Sequence, residues 1–275
     1  MSPSRLVLVL LFAFGSSLAR AQQTAQQSSL PTAQVSQRDP QALSVLTQAL
    51  SAAGGSALVG SHQNYTGTGS ITYYWANQEV QGSVNMRSRG TGQFRLDATL
   101  PNGVRTWLVN DQTGLIREPT GYTHEIPFHN AVNFGSLTLP YPALTAALND
   151  PGATILYLGS VTNNGRNTYQ IRVQRIPIDA EPSGVLHTLS TKDFFIDATN
   201  FQIVSTLDMV HPDLNYNQDY PHEITFSDYR AVNRVLVPFS TQERVAGQHS
   251  WTIQLTGIDL NPELTDEDFQ MQELN

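Results

Sequence analysis

The 275-residue sequence predicts an α+β protein, mainly antiparallel β, folded as a single domain over residues 39–275. Three observations lead there: one amphipathic helix near the start, period-two alternation through most of the remainder, and hairpin-forming turns between the alternating runs. The helix is announced by Asp39 as N-cap and Pro40 as first residue, with Leu43, Leu46 and Leu50 at helical spacing before Gly54-Gly55. Its apolar stripe is narrow and Ala-rich, which suits a helix laid across a sheet.

Alternation begins near His62 and is clearest in Gln93 to Ala98, Gln170 to Gln174 and Ser250 to Leu255. One polar and one apolar face per strand means an antiparallel sheet with one side in water. Pro101-Asn102-Gly103, Asn163-Asn164-Gly165-Arg166-Asn167 and Asp197-Ala198-Thr199-Asn200 read as hairpin turns, so sequential hairpins predict a meander. Two stretches interrupt it. Phe128 to Gly152 reads as an apolar loop with a short helix carrying Pro142, Leu144 and Leu148, and Pro177 to Ser190 reads as an exposed excursion.

Composition excludes several functions. The chain is 40% hydrophobic and 14% charged, with a net charge of −8 from 15 basic and 23 acidic residues, and Lys192 is its only lysine. That balance argues against a nucleic-acid partner. Cysteine is absent, which removes disulfides, thiolate metal sites, cysteine nucleophiles and lipidation at an N-terminal cysteine. Arg5, the apolar run Leu6 to Phe14 and the pattern Ala19-Arg20-Ala21 read as an export signal over residues 1–21, cleaved near Ala21. Nine apolar residues are too short to cross a hydrocarbon core, so no stable membrane insertion is expected. Cleavage would take two of the 15 basic residues, leaving 13 against 23 acidic in a periplasmic or secreted product. Residues 22–38 form a polar leader of Gln, Ser, Thr and Ala without periodicity.

Chemistry-bearing clusters are sparse. His211, Asp213, Asp219, His222 and Glu223 are types that could hold a divalent metal, but no His-Glu-x-x-His helix is present and Pro212 and Pro221 suggest a loop between strands. A solvated acidic loop is the preferred reading, with no metal and no cofactor expected. No Gly-x-Ser-x-Gly elbow occurs, and Gly67-Thr68-Gly69-Ser70 reads as glycines in a twisted strand. Tyr65, Tyr73, Tyr74 and Trp75 suit a strand edge or core better than a ligand platform.

Two later stretches carry a family resemblance. Phe194-Phe195-Ile196-Asp197-Ala198-Thr199-Asn200-Phe201-Gln202-Ile203-Val204 looks like a strand ending in Asp and returning through a branched residue. Ser227-Asp228-Tyr229-Arg230 through Val237-Pro238-Phe239, then Trp251 to Leu255 and Asn261-Pro262-Glu263-Leu264 with Phe269, is similar to a set of closing strands and an "Asn-Pro … Phe" ending. With the element order, this resembles the LolA/LolB-like periplasmic lipoprotein carrier and receptor superfamily over roughly residues 39–270. The resemblance implies a curved, incomplete β-barrel whose concave apolar face is covered by an N-terminal helix and a short helical lid and receives an acyl chain. The anchoring cysteine of the receptor branch is missing, and no arginine here matches the functional one of the carriers.

The leading expectation is therefore a non-catalytic periplasmic protein that binds a lipid or lipoprotein acyl chain. The expected cavity residues are Ile71, Tyr73, Val84, Met86, Phe94, Leu96, Ile171 and Val173, with Phe134, Leu137, Leu144 and Leu148 in the lid. An envelope sensor or protein-interaction module stands second, with an envelope protein as partner, and a hydrolase using the His211 to Glu223 region stands third.

Overall fold

Asp39 starts the first helix as its side chain predicts. Its Oδ1 accepts the amide hydrogens of Gln41 at 2.7 Å and Ala42 at 3.3 Å, and Pro40 fills the first turn of α1, Pro40–Ala52. Ala42, Val45, Leu46, Ala49 and Leu50 form the buried stripe. Asp39→Ala is expected to cost about 1 kcal/mol, the usual worth of an N-cap. A urea midpoint unchanged from the parent would contradict this. The computed structural model describes residues 37–75, 78–111, 113–127, 130–131, 137–175, 185–211, 215 and 218–271. The expected export signal and nearly all of the leader, with Phe134, Pro212 and Asp213, lie outside the described residues.

A short α2, Ser56–Ser61, leads into the first arm of the sheet: β1, Asn64–Trp75; β2, Gln78–Arg89; β3, Gln93–Leu100; β4, Gly103–Asn110; β5, Thr113–Arg117; and β6, Thr123–Ile126. After α3, Tyr141–Asn149, come β7, Thr154–Asn163, and β8, Arg166–Gln174. Helix α4, Val185–Leu189, precedes β9, Thr191–Asp197, and β10, Ile203–Val210. The chain ends with β11, Tyr220–Val232, β12, Val235–Val245, β13, Gln248–Leu260, and a 3-10 turn, Asp266–Phe269. The strands form one open antiparallel sheet, an α+β curved half-barrel of the predicted class.

The strand order corrects the simple meander. It runs β6-β5-β4-β3-β2-β1-β13-β12-β11-β10-β9-β8-β7, so two meanders join where β1 pairs β13, and β6 and β7 lie at opposite edges. Each hairpin sets only its own neighbour, and alternation alone cannot say which strands meet at the joint. Asn164-Gly165 makes the expected tight turn with φ of 47° and 74°, and Asn233-Arg234 and Ala246-Gly247 make the same kind of turn without the usual sequence signal.

Alternation places Tyr65, Ile71, Tyr73, Val84, Met86, Phe94, Leu96, Ile171, Val173, Phe194, Ile224 and Ile253 in one buried core with α1 and α3. This is the inner face. Two expectations about the opposite face need correction. Pro177 to Ser190 was expected to be exposed, but its described part contains α4, and Leu189 and Ser190 are buried. Asp193 and Phe195, on the outer parity of β9, are buried as well, so the sheet is covered on both sides there. The His211 to Glu223 stretch is also not wholly a loop. Pro221, His222 and Glu223 belong to β11, because a proline is tolerated at the start of a strand.

Candidate functional site

Ile71 and Tyr73 of β1, Phe94 and Leu96 of β3, Trp107 of β4 and Trp251 of β13 converge on the inner face, and Leu137 and Thr138 close over them. The space they enclose has no room for a water molecule. Leu137 is only 2% exposed, so its side chain fills the groove from above. Described residues on either side of it are fastened by hydrogen bonds. The Tyr65 and Thr138 hydroxyls share a 2.6 Å hydrogen bond, and the Tyr141 hydroxyl donates to the Leu236 carbonyl at 2.7 Å. Upstream, the Asn130 amide donates to the His211 carbonyl and accepts from the His211 amide, at 2.8 and 2.9 Å. Burial pushes the Tyr65 phenol up to about 12, against the pull of hydrogen bonds with Thr138 and Ser88, so it stays a neutral donor and acceptor.

The structure thus gathers Ile71, Tyr73, Phe94, Leu96 and Leu137 at one place. Val84 and Met86 lie on the same face of β2 but not around that space, and Ile171 and Val173 lie on β8, which packs against α1. Leu144 is fully buried in α3. Leu148 is half-buried and borders, with Thr47, Leu50 and Gly60, a cleft of about 260 Å³ between α1, α2 and α3.

A second feature crosses the inner face, and sequence reasoning missed it. Lys192 of β9 donates to Asp208 Oδ2 of β10 at 2.9 Å, and Asp208 Oδ1 lies 2.6 Å from His222 Nδ1 of β11. His222 Nε2 in turn lies 3.0 Å from Glu243 Oε1 of β12. Asp208, His222 and Glu243 are 4%, 1% and 4% exposed. Burial opposes a charge on His222, but the two carboxylates overcome it and raise its pKa to about 10. Burial likewise works against the Asp208 carboxylate, yet Lys192 and His222 hold its pKa below the ordinary value. Along these contacts two basic side chains alternate with two acidic ones, and Arg175 adds positive charge near Asp208. With both ring nitrogens facing carboxylates, His222 has no lone pair to offer as a general base.

The same geometry divides the residues weighed as metal ligands. His211 pairs with Asp219, His222 with Asp208 and Glu243, and Glu223 points to the other face, where it accepts from Asn164. Among the described residues no group of three His, Asp or Glu side chains is placed to hold a metal. The available signal was a polar residue on the apolar parity of four neighbouring strands, including the only lysine.

At the rim, the Arg105 guanidinium lies 5.0, 5.5 and 5.1 Å from the ring centres of Tyr73, Trp75 and Trp107 and pairs with Glu118 at 3.1 Å. Tyr65 and Tyr73 are core residues, whereas Trp75 is 40% exposed and stacks on Tyr73.

No family model and no curated protein matches the chain. Solved structures do. A LolA superfamily protein from Nitrosomonas europaea superposes with a TM-score of 0.51 at 9% identity, covering 84% of this chain and 97% of its own. The fold is LolA-like. A DUF1329 family protein from Desulfovibrio piger matches equally well, with a TM-score of 0.51 at 9% identity over 85% of this chain and 98% of its own. At such identities the likeness is one of fold, and no residue role transfers with it. No helix among the described residues is long and apolar enough to cross a membrane.

Proposed function

We propose that this LolA-like chain is a non-catalytic envelope protein that binds a lipid or acyl chain on its inner face, beneath Leu137 and α3. The observation that carries the reading is the cover itself: among the described residues, a large apolar face is closed over Ile71, Phe94 and Trp251 by Leu137 and Thr138 of a connecting segment, not by a second sheet. Withdrawing Leu137 exposes a side chain worth about 1.5–3 kcal/mol, and parting Tyr65 from Thr138 costs about 1 kcal/mol. Each methylene of an acyl chain that takes the vacated place gains about 0.8 kcal/mol, so about three to five buried methylenes offset the opening. The export segment read over residues 1–21 supports a periplasmic location.

The test is lipid extraction and mass spectrometry of protein purified without detergent, together with titration of a fluorescent fatty acid. Co-purified lipid or saturable probe binding is expected, and Leu137→Ala is expected to tighten probe binding several-fold by removing the competing side chain. Neither bound lipid nor probe binding would overturn the reading. Binding unaffected at Leu137 would move the site elsewhere. A protein-interaction module is the second reading, favoured by the fullness of the same space, and the absence of lipid would select it.

A further inference from the structure

The outer face of the first arm bears a concentration of positive charge unusual in so acidic a chain. Arg87 of β2 stands directly opposite Arg95 of β3, and Arg89 lies two residues along on the same face of β2. Like charges directly across a strand pair repel. Asp97 answers two of the three, at 2.8 Å from Arg95 and 4.0 Å from Arg87. The remaining balance comes from the C-terminal segment, where residues 261–275 contain five acidic residues and no basic one.

The segment leaves β13 through Asn261, held at φ 65°, and Pro262, and lays its 3-10 turn across β3 and β4. Asp268 pairs with Arg87 at 3.1 Å and Asp266 pairs with Arg89. The carbonyls of Leu264 and Gln270 accept from Arg89 at 3.2 Å and Arg95 at 2.7 Å. Phe269 is buried, with the Arg89 guanidinium 5.3 Å from its ring centre. Leu108, on the same outer face opposite Arg95, is buried too. A capping box between Thr265 and Asp268 pre-shapes the turn. The contacts therefore recognise a short acidic sequence ending in an aromatic residue, through two carboxylates, two carbonyls and one apolar anchor.

This hold is light. Asp266 is 81% exposed, and exposed ion pairs are weak and screened by salt, which leaves Phe269 as the one fully buried apolar anchor among the segment's described residues. The short tether keeps the segment at high effective concentration, so it yields only to a competitor with matching chemistry. We propose that the Arg87, Arg89 and Arg95 patch is a recognition site for an acidic, aromatic-bearing peptide segment of a partner protein, occupied in this structure by the chain's own C-terminal segment.

The probe is a fluorescent peptide with the sequence of residues 262–271, titrated into the full chain. Phe269→Ala in the protein loosens the tethered segment and leaves the arginines in place, so the peptide is expected to bind that variant at least tenfold more tightly than the parent. High salt should weaken binding, and adding Arg87→Ala and Arg89→Ala should abolish it. Asp266→Asn with Asp268→Asn is a second route to the same release and serves if Phe269→Ala fails to fold. Equal binding by parent and by a cooperatively melting released variant would overturn the proposal, as would binding indifferent to the arginines. Concentration-dependent dimers of the parent that vanish in Phe269→Ala would overturn it as well, by making a second copy of the chain the occupant.

Discussion

Asp208→Ala is expected to lower the unfolding free energy by about 3–5 kcal/mol, the usual cost of removing one partner from a buried ion network. The substitution leaves Lys192 and His222 facing a cavity where their shared carboxylate stood, with Glu243 as the remaining carboxylate partner of His222. Replacing all four residues by apolar ones of similar volume is expected to recover most of the loss, because paired buried charges add little beyond a well-packed apolar substitute. Urea midpoints of the single and quadruple variants measure both, and a single-variant cost below about 1 kcal/mol would show that the four groups are not buried as charges. The pH dependence has a definite sign. The His222 pKa is raised in the folded state to about 10, so its stabilisation is complete below the ordinary value near 6.5 and is lost as pH rises toward 10. The Asp208 pKa is lowered, so its contribution holds above the ordinary carboxylate range and disappears on acidification through the lowered value. The parent should therefore melt at lower temperature at pH 10 than at pH 7, and His222→Gln should flatten that part of the profile. A parent curve as flat as the variant's would contradict the assignment of a charged His222.

Gly69→Ala is the second large effect. A Cβ at this position would lie 2.1 Å from the Gln254 carbonyl oxygen and 2.8 Å from the Leu255 Cα, both backbone atoms of β13. Neither can rotate away, so β1 and β13 must separate at the joint that links the two arms of the sheet, where a bulge at Thr256 of β13, opposite Thr68 and Gly69, already interrupts the ladder. Forced overpacking of this kind costs about 1–3 kcal/mol, and the groove beside Ile71 and Trp251 should distort with it. Gly60→Ala is the control. Nothing lies within 4 Å of its added Cβ and the site is in α2, so the change should be neutral or stabilising by up to about 1 kcal/mol. Equal midpoints for the two variants would remove the close approach as the reason for glycine in β1.

The resemblance to the LolA-like fold was legible from element order, and the apolar parity of the strands picked out residues that do face inward. Four of the eight expected cavity residues meet Leu137 around one closed space, while Val84 and Met86 lie beside it and Ile171 and Val173 lie near α1. Parity says which way a side chain points from its own strand, but not how far along the curved sheet it sits from another. His222 shows the same limit more sharply. Beside Pro221 and near four other polar residues it resembled part of a solvated loop, yet its partners stand 14 and 21 positions away.

What the sequence determined by itself is local: the start of α1 at Asp39, the alternating strands, the Asn164-Gly165 turn, and a cysteine-free acidic composition. These depend on a residue and its near neighbours, through caps, side-chain periodicity and backbone dihedral preference. Only the tertiary structure decided that β1 pairs with β13, that the expected lid residue Leu137 leaves no open space beneath it, that Lys192, Asp208, His222 and Glu243 form one chain of charges, and that the C-terminal segment meets three arginines. Each of these depends on strand register and sheet curvature, which bring distant residues within hydrogen-bonding or packing distance and leave no periodic trace along the chain.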